Sequence, residues 1–201
     1  MEITEIAPLD KRRRRVYIDG EYAFPLYLSE LGKYRIETGN MISEETYEEI
    51  YRVLTNRVKE RILYLIGDMD RSERDIRQKL RNSGYCGDFV NDAIDRLKEY
   101  GYIDDVRYAR CYALSMRDNR GKSGYAISQA LYEKGIDKTI ISQIMDEIIV
   151  NDDEQLIRAL SKKGYTPETL READDSEKRK IFQYLLRKGF SAGVVGTYVR
   201  K

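Results

Sequence analysis

The chain has 201 residues, of which 35% are charged and 41% hydrophobic, with three prolines. That composition suits a helical protein with a proper core and argues against a disordered one. Net charge is +1, and there is no histidine, so His-based acid–base catalysis and His-ligated metals are excluded. Two cysteines, Cys86 and Cys111, are too few for a disulfide framework or a Cys-rich zinc site. No apolar run approaches the ~20 residues of a membrane span, and Met1 to Arg15 has no hydrophobic signal-peptide core, so the expected location is cytoplasmic.

Residues 11–27 read as a β-hairpin. Val16-Tyr17-Ile18 and Tyr22-Ala23-Phe24 flank Asp19-Gly20, a pair that tolerates the positive φ of a type I′ turn. Pro25 is expected to limit the second strand, because it has no N–H for the ladder. A lone hairpin is marginal in water, so this one must lean on helices. Ser29 to Tyr34 predicts a short helical turn and Gly39-Asn40 a loop. Ser43 then reads as an N-cap, with Glu44 and Glu45 in the first turn, where carboxylates meet the positive end of the helix dipole. Tyr47, Ile50, Tyr51, Leu54, Val58, Ile62 and Leu65 keep a three-to-four spacing, which predicts one amphipathic helix up to Gly67-Asp68.

Beyond that helix the chain repeats itself. Ile76, Gln78, Leu80 and Gly84 recur as Ile127, Gln129, Leu131 and Gly135, then as Ile181, Gln183, Leu185 and Gly189. A bulky residue follows each glycine, and apolar pairs follow at fixed distance: Phe89/Val90, Ile140/Ile141 and Val194/Val195. A period of about 50 residues marks stacked supersecondary units. Each unit reads as a leading helix, a middle helix closed by the glycine at C′, and a third helix. Ser72, Ser123 and, one residue out of step, Ser176 are the expected caps of the middle helices. Cys86, Asp137 and Ser191 hold the cap position of the third helices. Leading helices are expected from Asp104-Asp105, with Tyr108, Cys111, Tyr112 and Ser115 on one face, and from Asp152-Asp153, with Leu156, Ile157 and Leu160 on another. Thr166-Pro167-Glu168 predicts one extra short turn in the third unit. The expected fold is all-α, with tandem three-helix repeats in an elongated arrangement and a small N-terminal β-hairpin segment. Its expected divisions are 1–42, 43–103, 104–151 and 152–201.

Gly101-Tyr102-Ile103-Asp104-Asp105-Val106-Arg107-Tyr108-Ala109 resembles the signature region of the bacterial RecX regulatory proteins. The likeness continues through Arg117, Gly124, Ile127, Leu131, Lys134, Gly135 and Ile136, and through the repeats over 57–201. One departure is Gln129-Ala130-Leu131, where a Glu-Leu pair is common in the family. The resemblance implies a non-enzymatic, elongated helical protein that binds the RecA recombinase. It implies that the protein lies in the groove of the RecA filament on single-stranded DNA, inhibits strand exchange and ATP hydrolysis, and promotes disassembly.

The apolar pattern residues are read as core, and the repeated glutamines as helix caps or solvated. Asp104-Asp105 reads as an N-cap; nothing adds the ligands that Mg²⁺ would need. No nucleophile–base pair or phosphate loop is present either. No cofactor is therefore expected. The candidate contact residues are basic. In the first strand, Arg12 and Arg14 share one face and Arg13 and Arg15 the other; they either reach phosphates or protect an edge. Arg110, Arg117, Arg120 and Lys122 gather at a helix end and the loop beyond it, which holds Gly121 and Gly124. Lys162, Lys163, Arg187 and Lys188 lie at two helix ends, where cations also offset the dipole. The tyrosines read as packing, including Tyr85, Tyr102, Tyr108 and Tyr132; Tyr125, beside the basic loop, is the one placed to stack on bases. The leading reading is a monomeric regulator of RecA and its filament on single-stranded DNA, with weak direct DNA contact and no membrane. A second is a direct DNA-binding protein built from helix-turn-helix-like units, although no helix carries a base-reading face. A third is a general helical-repeat scaffold for other proteins.

Overall fold

A computed structural model describes residues 1–148 and 150–199, so Arg200 and Lys201, at the end of the basic C-terminal run, lie outside it. The chain is all-α with a small N-terminal sheet, and it divides into two compact units, Met1–Asp104 and Asp105–Lys201.

In the first unit, β1 (Ile3–Pro8), β2 (Arg13–Ile18) and β3 (Glu21–Tyr27) form an antiparallel sheet in the order β1-β2-β3. Asp19 and Gly20 take φ of 50° and 86°, as the type I′ turn requires. Two features depart from the sequence reading. The chain begins with a third strand, β1, whose apolar alternation is broken by a register shift between Ile3 and Glu5. Pro25 sits inside β3, opposite Arg15, rather than ending the strand. An edge strand tolerates the missing donor, since its outer N–H groups have no ladder to join.

The sheet is followed by α1 (Leu28–Tyr34), α2 (Glu44–Asp68), α3 (Glu73–Asn82) and α4 (Asp88–Glu99). Ser43 and Ser72 cap α2 and α3, each accepting from the backbone N–H three residues on. Val16, Phe24 and Leu26 share one core with Ile50, Leu54, Val58 and Ile62 of α2, and with Ile76, Leu80 and Ile94. The hairpin thus leans on helices, and polar bonds fix where. The Tyr22 hydroxyl donates to Gly84 O at 2.6 Å, and Arg13 Nη1 to Ser83 O at 2.9 Å. The cap of α4 is Gly87, at φ 107°, instead of Cys86. That backbone conformation is closed to cysteine, so the helix start moves one residue on.

In the second unit, α5 (Asp105–Asp118), α6 (Gly124–Glu133) and α7 (Lys138–Glu147) enclose Ala113, Met116, Ile127, Leu131, Ile141 and Ile144. Then α8 (Asp152–Ser161), α9 (Pro167–Glu172), α10 (Asp175–Arg187) and α11 (Ala192–Val199) enclose Leu156, Leu160, Leu170, Ile181, Leu185 and Val195. The extra turn is α9, capped by Thr166 with Pro167 in its first turn. Asp174 caps α10, accepting from Glu177 N at 2.8 Å, so Ser176 is inside the helix. A carboxylate was available two residues earlier and holds the N-terminal N–H more strongly than a hydroxyl.

The buried stripe of α5 is Ala109, Ala113 and Met116, one residue round from the expected face; Cys111 is exposed. Small alanines let α6 and α7 approach closely, while Tyr108 and Tyr112 stack on each other at its flank, 5.8 Å apart. Leu156 and Leu160 are buried as expected, but Ile157 is exposed. Tyr85 is core, whereas Tyr102, Tyr125 and Tyr132 are exposed: their phenol groups keep one polar end in water.

Candidate functional site

The ten candidate cations fall into three situations. In the first unit, Arg12 lies in the turn before β2, and its backbone N–H donates to Asp10. The Arg14 guanidinium folds back onto the carbonyls of Asp10 and Arg13. Arg13, half-buried, pairs with Asp10 at 2.8 Å and packs its guanidinium over the Tyr85 ring. The strand therefore spends Arg13 on structure, while Arg14, inside β2, bonds the turn's carbonyls and Arg12 is exposed in the turn.

In the second unit, Arg110 and Arg117 are ion-paired. Arg110 makes a fork to Glu147 at 2.9 and 3.1 Å, and Arg117 bonds Asp118 at 2.7 Å and the Ile148 carbonyl at 2.5 Å. The bond from Arg110 holds the Glu147 carboxyl below its ordinary value. A carboxylate with a depressed folded pKa contributes stability above its unfolded pKa and loses it as pH falls through the folded one. Arg110→Met should therefore return the Glu147 titration toward the usual carboxylate range. A carbon-detected titration of that carboxyl checks it, and an unmoved midpoint would show that the fork does not form in solution.

The other six behave differently. Arg120 and Lys122 follow α5, Lys162 and Lys163 follow α8, and Arg187 and Lys188 end α10, so three helix C-termini converge. None of the six is in an ion pair with a carboxylate among the described residues. Three of them bond backbone carbonyls across the seam instead. Lys122 Nζ donates to Arg187 O at 2.7 Å, Lys162 Nζ to Asn119 O at 3.3 Å, and Lys188 Nζ to Arg120 O. Each ammonium thus meets a carbonyl at or just beyond the negative end of another helix. Lys163 and Lys188 both lie over the Tyr184 ring, at 5.0 and 5.6 Å. Burial, and then repulsion from Lys122, Lys162 and Lys163, lowers the pKa of Lys188. These cations are crowded together, and no carboxylate among the described residues pairs with them.

The loop between α5 and α6 is held by its backbone. Lys122 N–H donates to Met116 O at 3.1 Å, and Ser123 N–H to Lys188 O at 3.2 Å. Ser123, fully buried, caps α6 and also donates its hydroxyl to Gly189 O at 2.7 Å. This contact registers the basic loop against the end of α10. Between α5, α8 and α10 lies a groove of about 240 Å³, lined among others by Arg120, Gln155, Arg158, Lys162 and Lys188. Gln155, Arg158 and Tyr184 were not legible as site residues. A glutamine in the first turn of a helix and a tyrosine on an amphipathic one carry no signal until the helix ends are placed together.

Among the described residues no three His, Cys, Asp or Glu side chains group as a metal site, and no helix is long and apolar enough to cross a membrane. Helical domains in tandem, behind a small sheet and carrying a cationic seam, define a helical-repeat protein rather than a sheet-based one. Residues 104–145 match the family model described as the second three-helix domain of RecX, and 151–199 the model for its third. Over these segments, and over nearly its whole length, the chain is similar to RecX regulatory proteins. It is 29% identical to the regulatory protein RecX of Clostridium acetobutylicum, over 99% of this chain and 95% of that one. It is 27% identical to that of Listeria innocua, over 96% of this chain and 73% of the relative. A crystal structure of a regulatory protein RecX superimposes with a TM-score of 0.61 at 27% identity, covering 99% and 98% of the two chains. RecX from Lactobacillus salivarius has the same fold, with a TM-score of 0.59 over 74% of this chain and 96% of that one.

Proposed function

We propose that this chain binds the RecA recombinase and its filament on single-stranded DNA, and so inhibits recombinase and ATPase activity in homologous recombination and DNA repair. It acts in the cytoplasm as a monomer, by binding and without catalysis. In this reading the segment 1–42 and the divisions 43–103, 104–151 and 152–201 are its working parts. The observation that carries it is the convergence of six cations without carboxylate partners at the seam of the second unit, in a chain similar to RecX regulatory proteins. Ammonium groups with N–H donors to spare attract a phosphate backbone and release its counterions. Domains in tandem add multivalent contact with a polymeric partner.

The test is RecA's DNA-dependent ATPase and strand exchange, with the intact protein added at up to a few-fold excess. Both rates should fall. Unchanged rates, with retardation of a short DNA duplex in the absence of RecA, would favour a direct DNA-binding protein instead.

A further inference from the structure

The groove between α5, α8 and α10 has more than charge. At its floor Gln155 is 4% exposed, and its Oε1 has no hydrogen-bond partner. A buried amide oxygen without a partner costs roughly 1–3 kcal/mol, so a side chain kept in this state marks a place where something else is to be bound. The walls supply the cations: Arg120, Arg158, Lys162 and Lys188 line the same groove, against one carboxylate, Asp118, which is already bonded to Arg117. Lys162 and Lys188 each use one donor on a carbonyl. An ammonium has three, so N–H groups remain.

We infer that this groove receives a phosphate group, bound by Lys162, Lys188 and Arg120 at its rim and by the Gln155 amide at its floor. Rotation of that amide about its last torsion exchanges oxygen and nitrogen with little change of shape, which gives the oxyanion N–H donors. The volume of about 240 Å³ admits a tetrahedral oxyanion with part of what it is attached to. Phosphate fits better than carboxylate. Two of the three rim cations are lysines, point charges set round the groove, whereas planar bidentate carboxylate recognition favours the arginine fork. Seating an anion here also relieves the mutual repulsion that bears on Lys188. This site deepens the proposed function, on which it rests for its biological meaning: the phosphate is either a diester of a nucleic-acid backbone or a free phosphate.

The experiment follows the side-chain amide signal of Gln155 in the ¹⁵N-labelled full chain, assigned by its loss in Gln155→Met. Inorganic phosphate and a hydroxyl-ended oligothymidylate are titrated separately, with ionic strength held by chloride. A saturable shift with phosphate, with the oligothymidylate, or with both that compete, supports the site, and the pattern identifies the source. Lys188→Met should weaken phosphate about tenfold in this titration, the effect of one hydrogen bond to a charged group. The conservative Gln155→Met keeps volume, and thermal midpoints report whether either variant has lost its fold. No shift, or an equal shift with acetate or an oligoglutamate, would overturn the site. A still signal with filament ATPase inhibited removes this site and leaves the proposed function standing; a moving signal with filaments unaffected does the reverse.

Discussion

Gly189→Ala should destabilise the second unit by roughly 3–4 kcal/mol, the sum of a strained backbone and a collision. Gly189 has φ of 95°, where a Cβ is disfavoured. A Cβ built there would lie 2.4 Å from Ala126 Cβ, 2.7 Å from Ser123 Oγ and 3.3 Å from Ala126 Cα. Ala126 has no flexible end to swing aside, and Ser123 is held by two bonds, so α6 itself would have to move. Two other glycines grade the effect. Gly164 has φ of 81° with nothing within 4 Å, so Gly164→Ala bears strain alone, about 1 kcal/mol. Gly84 would meet the Leu9 side chain at 2.7 Å, which can rotate away, so Gly84→Ala belongs between them. Urea denaturation followed by circular dichroism ranks the three. Equal losses for Gly189→Ala and Gly164→Ala would mean that α6 does not rest on the end of α10.

Changing Lys122, Lys162 and Lys188 together to glutamine should weaken binding to the RecA–DNA filament roughly a hundredfold near 0.1 M salt, with inhibition of ATP hydrolysis falling in step. Glutamine keeps a polar donor for the carbonyls these lysines bond, so the seam is disturbed less than by alanine. Three lost phosphate contacts should also lower the slope of log affinity against log salt by about 2, since each contributes roughly 0.7 on a single strand. Arg110→Gln with Arg117→Gln is the matched control. Those two guanidiniums are already bonded to Glu147 and Asp118, so their loss should change affinity by no more than about threefold. If the control pair weakens binding as much as the lysines do, the contact depends on overall charge and not on the seam.

Local signals made much of the fold legible. Asp19-Gly20, Ser43, Ser72, Ser123, Asp137 and Thr166 each act through their own few neighbours, and each turn or cap is where the residue type puts it. The misses arose where a neighbour outcompeted the pattern. Asp174 took the cap from Ser176, Gly87 took it from Cys86, and a register shift hid β1 from a test for strict alternation. The candidate site was half legible. All six cations of the seam were on the page as residues, but bonds such as Lys122 to Arg187 and Lys188 to Arg120 join positions 65 and 68 apart. No local rule brings such positions together. Nor does sequence say which arginines are already neutralised: Arg110 and Arg117 read just like Arg120 until Glu147 and Asp118 are placed beside two of them.

The double bonding of Ser123 bears on how the second unit comes apart. In tandem-domain proteins each module has its own stability, and the strength of nearest-neighbour coupling decides whether they open singly or in concert. Here the first turn of α6 and the last of α10 share one hydroxyl, and the Ser123 N–H is lent to Lys188. Fraying of the C-terminal helices would therefore unmoor the start of α6 as well, and partial opening is disfavoured relative to the loss of both modules in one cooperative step.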